Sequence, residues 1–535
     1  MNKPSLSAIP QTGLAGLHEN WRCDLQSGFL VFLIALPLCL GVSMASGFPP
    51  SAGIITAIIG GVLVSRISGS YLTINGPAAG LIVVILAAVQ ALGEGDAMAG
   101  YRYTLAAIVV ASVLQVLMGR LKMGQLSSFF PNSVVHGMLA AIGIIIIATQ
   151  THVMLGVTPE SGSLFSIIAQ IPHSLFNMKP AVFLIGFLGL LILIVWPLIG
   201  SRIPAPVIVV LVGIVFAWHF NLAQKPTAGG SNYLIAIPDN FLAGFYFPDF
   251  SKLFTVAFWE AVIAISLVGS LESLLVATAV DKLDPYKRSS DLDRDLTAVG
   301  IGNMVAGLIG GLPMIAEIIR SSENVSNGAK TTWANFFHGL LLLVFVVLFP
   351  GLINSIPLAS LAALLVYTGY RLASPKTFLH VLDVGKDQLF MFVVTIIGVL
   401  ATDLLIGVAL GVVVKLAIDL VRGVWLNNLF KIHFTIQQQD NDTLVVKLSG
   451  SALVSNFLPL KKALARLEPG KTIVFDFTNG YLIDHTVMEF IHNYQQKYEA
   501  QGGHCQNVGK ALETFSDHAL AARLMTADDR NNFRF

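Results

Sequence analysis

The chain has 535 residues, 55% of them hydrophobic and only 12% charged, with a net charge of +1. Soluble domains carry about 25% charged residues, so this composition, with a mean hydropathy of +0.74, argues against a soluble enzyme or a nucleic-acid binder. Cys23, Cys39 and Cys505 are scattered and form neither a disulfide framework nor a zinc pattern.

The charge is unevenly spread. Residues 431–535 hold 22 of the 63 charged side chains, about 21% of that segment. The expectation is a transmembrane domain over 26–425 and a small soluble domain over 440–535. Residues 1–25 are polar and read as an N-terminal cytoplasmic segment, with Lys3 and Arg22 ahead of the apolar run 28–45. No small-residue cleavage site follows that run, so it reads as a first span rather than a signal peptide.

A span needs about 20 apolar residues to cross about 30 Å of hydrocarbon. Thirteen stretches qualify: 27–46, 51–67, 76–93, 103–119, 132–150, 181–199, 204–221, 254–280, 296–312, 332–349, 352–370, 387–402 and 404–421. The gap at 313–328, PMIAEIIRSSENVSNG, is too short and polar to cross alone and reads as a broken span. Counting it gives fourteen spans and puts both termini on one side. With the N-terminus cytoplasmic, the inner loops hold twelve Lys and Arg residues, from Arg66 to the cluster Arg371, Lys376 and Lys386. The outer loops hold four: Arg102, Lys179, Lys225 and Lys252. This bias favours fourteen spans and a cytoplasmic tail.

Two short helices begin alike in the two halves. One follows SYLTI and starts at Asn75, Gly76, Pro77, Ala78, Ala79 and Gly80; the other follows Gly310, Gly311, Leu312 and Pro313. They fall in spans three and ten, seven spans apart, so the halves are inverted in the membrane. Gly/Pro-interrupted segments at matching positions point to a substrate site between inverted repeats. Two helix N-termini facing each other make an anion site without a lysine.

Ionisable residues inside spans are costly and mark function by default. Glu272, in VGSLESLLVATAV of span eight, is the first candidate. Glu317, Arg320 and Glu323 recur every three residues along the broken span, as either a salt-bridge ladder or a charged wall of the anion site. Gly300, Gly302, Gly307, Gly310 and Gly311 suit close helix packing. Neither a phosphate-binding loop, a metal-ligand spacing nor a nucleophile–base pair is found, so no cofactor, metal or enzymatic activity is expected.

In the tail, 443–448 and 471–477 read as strands, 457–467 and 484–500 as amphipathic helices, GGHCQNVG as a further strand and 510–524 as helix.

These features together resemble the SulP family, the sulfate permease group of inorganic anion transporters. The resemblance rests on FLIALPLCLGVSMASGFPPSAGI, the NGPAAG half-helix, the acidic LESLL, and GIGNMVAGLIGGLP followed by a short charged helix. The tail resembles the family's STAS domain through KTIVFDFTNGYLIDHTVMEF. The resemblance implies a polytopic α-helical protein of the plasma (inner) membrane, with fourteen spans as 7+7 inverted repeats, two half-helices, an elevator-like motion and a homodimer. It implies an anion site at Pro77, Ala78, Ala79, Ala316, Glu317 and Ile318, with Arg320 as its basic residue and Glu272 as the coupling acid. Sodium-dependent bicarbonate members have aspartate where this chain has Glu272, and hydroxyls where it has Val276 and Ile318. Proton coupling is therefore favoured over sodium. STAS domains of the sigma-factor-antagonist type carry a phosphorylatable serine after an aspartate; here Asp484 is followed by His485 and Thr486. The expected function is secondary transport of a small inorganic oxyanion, bicarbonate or sulfate. The alternatives are an anion-binding STAS-centred sensor that does not translocate, or a nucleobase–cation symporter on the same fold.

Overall fold

The computed structural model describes residues 9–125, 130–158, 164–200, 203–224, 233–402, 404–440, 442–467, 470–500, 502–509, 513–514, 518 and 520–524. Arg202 and Lys225, two of the loop cations counted above, lie outside the described residues. The chain forms two compact units, Met1–Gly124 with Ile142–Leu372, and Gln125–Ala141 with Ala373–Phe535.

Every stretch expected to cross a membrane is helical over most of its length. In chain order these are α1 (Gly13–Ala45), α2 (Pro50–Ile59), α3 (Ile82–Gly93), α4 (Ala97–Arg120), α5 (Asn132–Met154), α6 (Pro180–Val195), α7 (Ala205–His219), α8 (Val256–Leu283), α9 (Leu292–Ile309), α10 (Ile318–Ser326), α11 (Trp333–Leu348), α12 (Leu358–Leu372), α13 (Lys386–Ala401) and α14 (Leu404–Val421). Seven of the described helices are long and apolar enough to span a bilayer. Large apolar side chains such as Val215, Ile397 and Val413 stay exposed, which suits a helix whose solvent is hydrocarbon.

The helix ends follow local chemistry. Asp96 caps α4 by accepting from Met98 N at 2.9 Å and Ala99 N at 3.0 Å. Asp291 caps α9, which ends at Gly310 in the left-handed region, φ +98°. Gly300 on α9 meets α4 so closely that a Cβ there would lie 2.8 Å from Val116 Cγ2.

The first unit is held by a core from α1, α2, α6, α7, α11 and α12, including Phe32, Leu40, Ile54, Leu193, Val209, Leu342 and Leu361. Two short strands, β1 (Asn75–Pro77) and β2 (Met314–Ala316), pair antiparallel with Asn75 opposite Ala316 and Pro77 opposite Met314. Residues 13–25, expected as part of a separate polar segment, are instead continuous with α1. Their polar side chains serve as braces: buried Asp24 accepts from Lys330 N at 2.8 Å and Thr331 Oγ1 at 2.5 Å.

The second unit contains α13 and α14 as a helical hairpin, and a mixed sheet. The strands are β3 (His433–Asp440), β4 (Thr443–Ala452), β5 (Thr472–Ile483), β6 (His504–Val508), β7 (Glu513–Thr514) and β8 (Arg523–Leu524), with helices α15 (Leu458–Leu464) and α16 (His485–Ala500). The order is β3-β4-β5-β8-β7, with β6 also on β5; β4–β5 and β5–β6 are parallel. Val446, Leu460, Phe475, Val487 and Ile491 form its core.

Two expectations for the tail are corrected. The sheet begins at His433 rather than at 440, because β3 is an edge strand that contributes only Phe434 and Ile436 to the core. Residues 510–524 are extended wherever they are described in regular structure, since Arg523–Leu524 pairs with both β5 and β7.

A buried charge cluster joins α14 to the sheet within this unit. Lys415 Nζ lies 2.5 Å from Asp419 Oδ1 and 3.5 Å from Asp484 Oδ2. Asp484 also caps α16 through Val487 N at 2.9 Å and accepts from Val454 N at 2.7 Å. Removing one partner of a buried ion cluster costs about 3–5 kcal/mol because the others stay desolvated. Lys415→Met should therefore lower the thermal unfolding midpoint of the purified protein clearly. Pairing it with Asp419→Leu should restore most of the loss.

Candidate functional site

The site begins with an interruption. β1 and β2 are backbone with no helical hydrogen bonds, set among apolar helices, and each leads directly into a helix. Ala78 is extended (φ −118°, ψ 149°) and opens a tight turn, Ala79–Leu81, that becomes α3. Glu317 is extended (φ −111°, ψ 118°) and opens α10, its Oε2 accepting from Arg320 N at 3.2 Å. The antiparallel ladder therefore starts two helices from one place. Their first N–H groups give that place a positive potential of about half a charge each.

The ladder is braced by polar side chains from apolar helices and from α10 itself. Met314 N donates to Asn303 Oδ1 at 2.6 Å, and Asn303 Nδ2 donates to Gln115 Oε1 at 2.8 Å. Ala316 N donates to Ser273 Oγ at 3.2 Å. Ile74 N donates to Ser321 Oγ at 2.9 Å, and Glu317 N to Ile74 O at 2.9 Å. Asn324 Nδ2 donates to Leu72 O at 2.9 Å while its Oδ1 accepts from Ser27 Oγ at 2.7 Å. Sequence reasoning keyed on charge and missed Asn303, Ser273, Ser321 and Asn324. For Ser273 and Asn303, short polar residues inside apolar runs were the available signal; Ser321 and Asn324 lie in the polar broken span itself.

The sequence-derived residues converge here. Ala78, Ala79, Ala316, Glu317 and Arg320 are all buried, and Ile318 is partly so. Arg320 is fully buried; its Nη2 donates to Pro77 O at 3.3 Å and its Nε lies 3.9 Å from Glu317 Oε2. Arg320 thus ties α10 to the opposite half-helix start. Arg320 pairs with Glu317, whereas Glu323 is exposed and lines a neighbouring cavity, so the three charges do not form a continuous ladder.

Glu272 arrives from α8. As a residue it is half-buried, but its Oε2 is shut from solvent and has no hydrogen-bond partner. It lies against the first turn of the opposite half-helix: a Cβ on Gly80 would overlap both carboxylate oxygens. Glycine at 80 is therefore a close-approach requirement. Val276 and Ile318 share one apolar cluster with Leu72 and Ala316.

A cavity of about 350 Å³ runs beside the site along α10, lined by Leu38, Ile319, Glu323, Tyr367 and Arg371 among others. Its lining comes from α1, α6, α7, α10 and α12. Among the described residues, no cluster of His, Cys, Asp and Glu could hold a metal ion.

Comparison with known proteins gives this arrangement a context. Residues 21–395 match the sulfate permease family. A putative sulfate transporter of Bacillus subtilis, YvdB, is 30% identical over 400 residues, covering 74% of this chain and 72% of its own. The bicarbonate transporter BicA of a Picosynechococcus strain is 26% identical over 409 residues, 76% of this chain and 71% of its own. Among solved structures, the transmembrane domain of a cyanobacterial BicA superposes with a TM-score of 0.63 at 22% identity, over 74% of this chain and 97% of that one. The anion transporter Slc26a9 of mouse, in its inward-facing state, gives 0.67 at 15% identity, over 91% and 85%. These likenesses assign a helical membrane-transporter fold.

The Gly80 contact yields a direct test. Gly80→Ala should displace the Glu272 carboxylate and weaken anion binding by about tenfold or more, since displacements of about 1 Å in a preorganised site can cost more than that. Gly351→Ala, where a Cβ would meet nothing within 4 Å, should leave binding unchanged. Isothermal titration of the purified protein measures both.

Proposed function

The chain belongs to the sulfate permease family, and on that footing we propose that it is a secondary transporter of a small inorganic oxyanion, bicarbonate or sulfate. The observation that carries this reading is the ladder that starts two helices beside one buried arginine. Such a site holds an anion through backbone N–H groups and the Arg320 guanidinium. Pro77, Ala78, Ala79, Ala316, Glu317 and Ile318 form its walls. Small side chains there let a compact oxyanion approach the backbone.

The proposed architecture is fourteen spans in two inverted sets of seven, with α3 and α10 as the half-helices. Both termini lie on the cytoplasmic side. The cavity along α10 supports an inward access path between the site-bearing helices and α6, α7 and α12. Movement of the site past those three helices is the elevator step. The parallel β4–β5–β6 order and the helix that follows Asp484 support a STAS-like tail with a regulatory or assembly role. A homodimer is the proposed assembly.

Coupling rests on Glu272. An anion entering a negative-inside cell works against about 2.3 kcal/mol per charge per 100 mV. Accumulation needs a cotransported cation or an exchanged anion. A carboxylate oxygen without a partner in a desolvated site is costly as an anion, so Glu272 is suited to carry a proton with the substrate. Sodium would want several oxygen ligands, whereas Val276 and Ile318 offer an apolar contact on this side. Proton coupling is the favoured reading.

Two variants test this. Arg320→Ala should raise the apparent KM for the transported anion by about tenfold or more, or abolish uptake, because a charge-assisted contact is worth about 1.5–3 kcal/mol. An unchanged KM and rate would remove Arg320 from the site. Glu272→Gln mimics the protonated acid. It should abolish proton-driven accumulation in proteoliposomes while part of the anion–anion exchange survives. Full uphill uptake by this variant would refute the coupling role.

A further inference from the structure

The cavity along α10 is lined by one stripe of each helix that borders it. Ile319, Glu323 and Asn327 line it from α10 and the residue that ends that helix. Leu364, Thr368 and Arg371 line it from α12. Side chains three and four residues apart share one face of a helix. Ile34 and Leu38 add an apolar stripe from α1. Ile319 stands between Ile318 and Arg320 of the proposed anion site. Asn327 lies eight residues further on, about 12 Å along the helix. The cavity is therefore a passage that leads away from the site along α10.

Among the described residues that line this passage, Glu323 and Arg371 are the two that carry charge. Both are exposed, and neither makes an ion pair or a side-chain hydrogen bond with a described residue. Ionisable side chains along a membrane passage are ordinarily paired. A lone carboxylate there also repels the anion that the passage is to carry. Opposite charges on two helices that line one space, each without a partner, are complementary to each other. Glu323 stands on the helix that starts at the anion site. Arg371 stands on α12, past which the site moves in the proposed elevator step. Spans ten and twelve run the same way in the fourteen-span order. Sliding one along the other by one or two turns, about 5–11 Å, carries Glu323 past successive residues of the α12 stripe.

We propose that Glu323 and Arg371 are the gate pair of this passage: they stand apart while it is open, and they form an ion pair when α10 and α12 close it. The proposal rests on the anion-transport reading above and adds what shuts the cytoplasmic route. Pairing neutralises the carboxylate and spans the passage with a guanidinium–carboxylate contact, whose fork geometry favours two parallel hydrogen bonds. Opening the pair returns both charges to the water in the passage. An ion pair in contact with water is weak enough to be made and broken in each cycle. The two residues act on access and do not touch the bound anion.

The gate is read by the rate at which a neutral maleimide labels Ile319→Cys in the purified full-length protein, with Cys23, Cys39 and Cys505 replaced by alanine. Glu323→Gln and Arg371→Gln should each speed labelling about two- to fivefold, because the closed form loses a water-accessible ion pair. The double variant should label no faster than the faster single one, since the second substitution has no interaction left to remove. Unchanged labelling in the single variants, or effects that multiply in the double variant, would overturn the proposal. Uptake of labelled sulfate and bicarbonate in proteoliposomes separates the gate from the transport reading. Each single variant should change the maximal rate about twofold or more with KM within about twofold, the split expected when access rather than binding is altered. An unchanged rate, or a shift in KM alone, would overturn the gate. A wild type that carries neither anion would refute the transport reading, and the labelling cycle would still decide the pair.

Discussion

The structure depends on one constraint: backbone that leaves the helix among apolar helices must still satisfy its hydrogen bonds. β1 and β2 meet it by pairing with each other. The remaining groups are taken up by Asn303, Ser273, Ser321 and Asn324 from neighbouring helices and from α10 itself. Once the two strands are paired, the starts of α3 and α10 are fixed relative to each other. That arrangement places positive potential in one spot without exposing a lysine to hydrocarbon.

The charges around the spot follow from it. Arg320 bridges to Pro77 and so belongs to both half-helix starts. Glu272 approaches from α8 against Gly80, where the absence of a side chain is what admits it. A site built mainly of backbone dipoles reads charge and size, and on the proposed reading few side chains would record which oxyanion it prefers. Val276 and Ile318 share one apolar cluster, so neither side chain offers an oxygen ligand to a metal cation.

Much of this was legible in the sequence, for physical reasons. Apolar runs of span length have little choice but to be helical, and the stretches from 27–46 to 404–421 all became helices. The matched Gly/Pro interruptions at Asn75–Pro77 and before Met314 announced the half-helices, and Arg320 and Glu272 stood out by charge alone. Residues that act through short polar side chains were not legible in this way. Ser273 and Asn303 look like ordinary tolerated polar residues until the ladder they brace is seen. In the tail, β3 was hidden because an edge strand of glutamines carries only two core residues. Residues 510–524 have a helix-forming composition, yet where Glu513–Thr514 and Arg523–Leu524 are described they are strands, set by the pairing of Arg523–Leu524 with β5 and β7.

The central claim is that the paired half-helix starts hold an inorganic oxyanion in transit. Its most direct test is uptake of labelled sulfate, bicarbonate and uracil by the purified full-length protein in proteoliposomes, under an imposed proton or sodium gradient. The account predicts saturable uptake of an oxyanion driven by the proton gradient, with no uptake of uracil. Uptake of uracil alone, or saturable binding of an oxyanion without flux, would contradict it.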